Sequence, residues 1–189
     1  MTRKSILVLL FIALVVFQLY TLLQWINKAE TTRKEGVYLK IPCHQVDPID
    51  PFRGTYLNIN VDPSFIESPD SLLFSESQDV WINYTCDNSN NCAYLSIQPG
   101  TETPLTQKAI KCSITKVYHY LNEKGQTISQ VYIQYPFSKY YINENKALII
   151  SQKYNQALVD STIHVYAGVF VSNGNAVLDA IWLGNEKLE

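Results

Sequence analysis

The fold class this sequence predicts is mainly β: one N-terminal transmembrane helix followed by an antiparallel β-rich domain, a sandwich or partly open barrel, with one late helix. Three observations predict it. The run Ser5–Ile26, SILVLLFIALVVFQLYTLLQWI, contains no charged residue. Aromatic side chains are abundant, with 13 Tyr, 7 Phe and 3 Trp in 189 residues, and such residues suit pleated, half-buried surfaces. Beyond the apolar run, strand-like segments are separated by turn formers; Ser172-Asn-Gly174 between two apolar stretches is the strongest hairpin signal among them.

The first element follows from its length. About 20 apolar residues in helical conformation cross a hydrocarbon layer of ~30 Å, which residues 5–26 satisfy. A cleaved signal peptide has a shorter apolar core and small residues at the cleavage site. Here Gln24-Trp25-Ile26-Asn27-Lys28 is bulky at those positions. Tyr20 and Trp25 suit a membrane interface, and Arg3 and Lys4 before the run place the N-terminus in the cytoplasm. The expected organisation is a cytoplasmic tail at 1–4, an anchor at 5–26, a polar spacer at 27–36 and an exported domain at 37–189. The expected localisation is the cell membrane, single-pass, with that domain periplasmic or extracellular.

Strands come next. Val37–Val46 is one and Thr55–Val61 the second. Pro63–Ser77, rich in serine and proline, reads as an irregular loop, and 98–104 as another. Asp79–Thr85 and Ala93–Gln98 read as a hairpin. Ala109–Leu121 and Thr127–Tyr135 read as a second, turned at 122–125, and Thr162–Val171 and Asn175–Leu183 as a third. The late helix starts at a capping Asn143 with Glu144 in its first turn. Ala147, Ile150, Tyr154, Ala157 and Leu158 then build one apolar face. Leu148 and Ile149 fall off that stripe, which leaves a strand as the alternative.

Composition narrows the chemistry. A formal charge of -2 offers no basic footprint for nucleic acid. The four cysteines are Cys43, Cys86, Cys92 and Cys112, an even count in a compartment where bridges form. Cys86 and Cys92 bracket a polar, turn-rich stretch at the base of a hairpin, so they are the candidate disulfide; Cys43 and Cys112 remain as a pair with no local support. The spacing of Cys86 and Cys92 is not that of a C-x-x-C metal pair, and His44, His119 and His164 are dispersed. No metal, cofactor or catalytic residue is expected.

The segment 47–56, DPIDPFRGTY, is the most unusual. Two Asp-Pro steps restrict the backbone, and Asp side chains can hold a turn. Gly54 suits a crowded position, and Arg53 can reach back to Asp47 or Asp50. The segment resembles the signature of the GDYXXLXY proteins, a family of membrane-anchored, functionally uncharacterised proteins with the pattern D-P-x-D-P-x-x-G-D-Y-x-x-L-x-Y. Asp47, Pro48, Asp50, Pro51, Gly54 and Tyr56 match, and Arg53 is similar to the family's usual residue there. Thr55 stands for Asp, Ile59 for Leu and Val61 for Tyr. A second match runs from Tyr141 to Glu144, similar to the opening of the family's late helix, and the last hairpin resembles the family's ending. The resemblance implies a structural motif, and an accessory function beside polytopic membrane proteins.

Two functions follow as expectations. The first is a tethered binding or scaffolding module for a membrane or envelope partner, with the aromatic cluster Tyr132, Tyr135, Phe137, Tyr140 and Tyr141 divided between core packing and contact surface. The second is a tethered envelope hydrolase of signal-peptidase-like layout. It is weakened because no Ser-Met-x-Pro segment follows the anchor, and Ser64, Ser68 and Ser71 have no nearby lysine. Asp47 and Asp50 are a carboxylate pair, but their Asp-Pro setting favours turn capping over acid–base work.

Overall fold

A computed structural model describes residues 3–47, 56–68, 74–121, 125–142, 150, 152–153 and 164–188. In chain order the elements are α1 (Arg3–Glu35), β1 (Val37–Asp47), β2 (Tyr56–Val61), β3 (Phe65–Ser68), β4 (Asp79–Cys86), β5 (Cys92–Pro99), β6 (Ala109–Leu121), β7 (Thr127–Gln134), β8 (Lys139–Tyr141), β9 (Val165–Ser172), β10 (Asn175–Leu183) and β11 (Glu186–Leu188).

The first helix is longer than the apolar run requires. Its 33 residues correspond to roughly 50 Å, more than the ~30 Å of a bilayer core. Residues 27–35, expected as a spacer, are helical, because no proline or glycine interrupts them before Gly36. From Leu7 to Ile26 the large apolar side chains other than Val15 stay exposed, from 53% for Leu14 to 77% for Trp25. The β domain therefore does not cover them, and α1 is a candidate single-pass anchor.

The strands form two antiparallel sheets. One has the order β11-β10-β9-β1-β2-β8 and the other β3-β7-β6-β4-β5. Period-two patterning drives both. In β2, Leu57, Ile59 and Val61 are buried while the alternate residues are not. Leu39 and Ile41 of β1, with Val169 and Val171 of β9, extend that inner face. The second sheet supplies Val80, Ile82 and Tyr84 of β4, Ile110 and Ile114 of β6, and Val131 of β7 to the same core. Main-chain bonds join the sheets at two corners, from Lys40 N to Asn90 O (2.8 Å) and from Lys111 N to Gly174 O (3.0 Å). Of the two expected architectures this is the sandwich, partly closed at its corners.

The three expected hairpins are all present. Between β9 and β10 the loop is two residues, and both Asn173 (φ 49°) and Gly174 (φ 80°) are left-handed, as a type I′ hairpin turn requires. A side chain at Gly174 would also collide with the Trp81 ring. The serine-rich stretch 63–77 is not wholly irregular. It contains β3, a four-residue edge strand whose Phe65 and Glu67 face outward. β8 and β11, three residues each, are likewise edge strands with no sequence periodicity to announce them. Of the predicted late helix, Ile150, Gln152 and Lys153 are helical and the rest lies outside the described residues. Ile150 enters the core, and Lys153 pairs with Glu186 of β11 at 2.8 Å.

Candidate functional site

The two segments that carry the family resemblance meet on one rung. Tyr56 opens β2, Tyr141 closes β8, and the two are register partners with ring centroids 5.9 Å apart. The Lys139 ammonium lies over the Tyr56 ring at 4.6 Å. This is a cross-strand aromatic pair with a cation against it, an arrangement that fixes register. Asp47 ends β1 opposite Asn58, just after a bulge. Pro48, Asp50, Pro51, Arg53, Gly54 and Glu144 lie outside the described residues. Of the aromatic cluster, Tyr135 is in the core and Tyr141 is 70% exposed. Tyr132 instead joins Phe65 and Tyr118 on the outer face of the five-stranded sheet. The five rings are therefore not one surface.

The candidate disulfide is formed, linking Cys86 and Cys92 across the mouth of the β4–β5 hairpin. Its loop is ordered by Asp87, whose carboxylate accepts the amides of Ser89 (2.8 Å) and Asn91 (2.9 Å). The Asn91 amide first, and then that of Ser89, hold the carboxyl below its ordinary value. The loop in turn docks on β1 through Asn90 O. Replacing both cysteines by serine should lower the unfolding free energy by about 2 kcal/mol, since so short a loop restricts the unfolded chain only modestly. Urea midpoints of the oxidised chain and the double variant measure this, and identical midpoints would contradict it. Cys43 and Cys112 are unbonded and buried.

A cleft of about 650 Å³ lies where α1 meets the β domain. Its helix wall is Trp25, Lys28, Ala29 and Thr32, spaced i, i+3, i+4 and i+7 and so on one face. The opposite wall includes Asp79 and Lys111, paired at 2.8 Å, and the Gly174–Val177 end of the last hairpin. Ala29 is half-buried and Thr32 only 3% exposed, its hydroxyl donating to Lys28 O at 2.9 Å. With Gly36 these small residues let the helix settle against the sheet. Among the described residues no group of three or more His, Cys, Asp or Glu is placed to hold a metal ion.

The family model described as GDYXXLXY protein matches residues 18–181. The chain belongs to this family. No curated protein and no solved structure matches it. The GDYXXLXY match begins inside α1 and ends in β10. It therefore takes in both walls of the cleft as well as the Tyr56–Tyr141 rung. The signature in the sequence named both residues of the rung without their contact, and missed the cleft. The signal available for the cleft was the Trp25, Lys28, Ala29, Thr32 spacing, which starts at the end of the expected anchor and runs into a stretch that composition alone marks as a spacer.

Proposed function

We propose that this GDYXXLXY protein is an accessory module of the cell envelope, with α1 as an uncleaved single-pass anchor and the β domain as a docking body for a polytopic membrane partner. The N-terminus is cytoplasmic, in keeping with Arg3 and Lys4 before the apolar run, and the β domain is periplasmic or extracellular, in keeping with the Cys86–Cys92 bridge.

The observation that carries the reading is the junction. Only Gly36 separates α1 from β1, and its amide donates to Thr32 O at 3.0 Å. A domain on a flexible tether samples every orientation above a bilayer. One whose helix runs directly into its central sheet is held at a fixed height and angle, which serves a part that must meet a neighbour in the same membrane. The exposed aromatic face formed by Phe65, Tyr118 and Tyr120 adds contact surface of the kind found at interfaces.

Crosslinking in native membranes, followed by identification of the captured protein, tests the proposal. The expected result is one reproducible polytopic partner, lost when the β domain is deleted. Recovery of the chain alone under conditions that capture known complexes would overturn it. A reporter fused after residue 189 checks the compartment, and activity confined to the cytosol would reverse the assigned topology.

A further inference from the structure

We infer that the cleft at the foot of α1 is a binding site for the phosphate-bearing headgroup of a membrane glycerophospholipid; the inference rests on α1 being the anchor. Depth is the first argument. Trp25 lies at the end of the apolar run beside Ile26 and is the most exposed large hydrophobic residue of the helix, a side chain suited to the membrane interface. At ~1.5 Å per residue, Lys28 lies about 4.5 Å beyond Trp25 and Thr32 about 10 Å. The headgroup layer of a bilayer is roughly 5–8 Å thick on each side. The cleft therefore opens at the level where headgroups sit, with the exposed apolar side chains of α1, such as Leu22 and Leu23, on its membrane side.

Charge is the second argument. Asp79 and Lys111 neutralise one another across their 2.8 Å contact. Lys28 lines the same cleft on the membrane side, so the cleft carries one net positive charge at the depth of the lipid phosphates. An ammonium at that level can donate charge-assisted hydrogen bonds to a lipid phosphate on whichever side of the bilayer it stands. Ser113 also lines the same space. A cleft of about 650 Å³ falls within the ~300–1,000 Å³ range of small-molecule sites.

The test uses the full chain. Retention in carbonate-washed membranes is read first, and release into the wash would overturn both the anchor and the lipid site. The retained chain is then purified in dodecyl maltoside, which has no phosphate, and bound lipid is counted by native mass spectrometry. The probes are phosphatidylglycerol and a diacylglycerol of the same acyl chains. The expected result is retention of phosphatidylglycerol over diacylglycerol, weakened about tenfold by the charge reversal Lys28→Glu, which removes the charged donor to the phosphate. Lys34→Glu, six residues on and outside the cleft lining, should leave retention unchanged. Equal retention of the two lipids, equal loss in both variants, or no loss in Lys28→Glu would overturn the lipid site while leaving the anchor standing. Equal affinity for soluble glycerol 3-phosphate would also overturn it, by assigning the cleft to a free phosphate.

Discussion

Raising the pH from 9 to about 11 should unfold the β domain, because its core holds four weak acids that ionise only at the expense of the fold. Cys43 is buried on the inner face of β1, and its thiol is pushed up to about 12, first by burial and then by the nearby Asp62 carboxylate. Burial alone raises the Cys112 thiol on β6. The Tyr84 and Tyr135 hydroxyls lie 2.7 Å apart in the core, each 3.2 Å from a carbonyl, of Asp62 and of Pro63 respectively. Burial, before any neighbouring charge, pushes both phenols well above their ordinary value of 10.0.

The sign follows from proton linkage. Each group is an acid whose folded-state value is raised, so the unfolded chain gives up its protons first. The stability these groups confer is complete below pH 9 and is lost as the pH climbs toward the folded-state values. Each group contributes about 1.4 kcal/mol per pH unit. Two thiols titrating from pH 9 together remove roughly 5 kcal/mol by pH 11, and the two phenols add to the loss above pH 10. A domain is ordinarily stable by ~5–15 kcal/mol, so the transition falls in that window. Urea midpoints of the detergent-solubilised chain, taken at half-unit steps, give the slope directly. Cys112→Ala should flatten the slope by about 1.4 kcal/mol per pH unit, whatever its own packing cost. Constant midpoints up to pH 12 would mean that these groups are hydrated.

How far these features could be read beforehand varies with the physics of each. The hairpins were legible because Asn173-Gly174 and the polar loop after Cys86 are local signals, decided by a few adjacent residues. The Cys86–Cys92 bridge was legible for the same reason, since two thiols at the mouth of one hairpin need no knowledge of the rest of the fold. The family motif was legible as a motif, but not as a contact. The meeting of Tyr56 with Tyr141 depends on β8 returning to the edge of β2, and a three-residue strand leaves no period to read. β3 was hidden in the same way inside a serine-rich stretch. The buried Tyr84–Tyr135 pair joins β4 to the residue after β7 and has no expression in local pattern at all. The cleft failed for another reason. Polar composition argued for a spacer after Ile26, whereas helix propagation needs only the absence of a breaker, and none occurs before Gly36.

Gly36 itself gives the sharpest test of how α1 and the β domain are joined. Gly36→Val should cost about 3 kcal/mol and detach the foot of α1 from the sheet without preventing membrane insertion. A Cβ at this position would press into the Thr32 carbonyl oxygen and stand 2.9 Å from the Val171 carbonyl oxygen. Both obstacles are backbone, one at the helix end and one on β9, so neither can turn aside as a side chain would. Either α1 lifts, breaking the Gly36 N to Thr32 O bond and opening the buried Thr32 to water, or β9 moves and disturbs the Val37–Val171 rung beside it. Gly125→Ala is the control. Nothing lies within 4 Å of the added atom there, and the cost is only that of a left-handed φ of 72°, about 1 kcal/mol. Urea midpoints rank the two variants, and hydrogen exchange at residues 32–37 in nanodiscs reports whether the junction has opened. If the anchored domain works by being held at a fixed height, the valine variant should insert normally yet lose its crosslinked partner. A variant that exchanges and melts like the parent would mean that the helix and the sheet were never rigidly coupled.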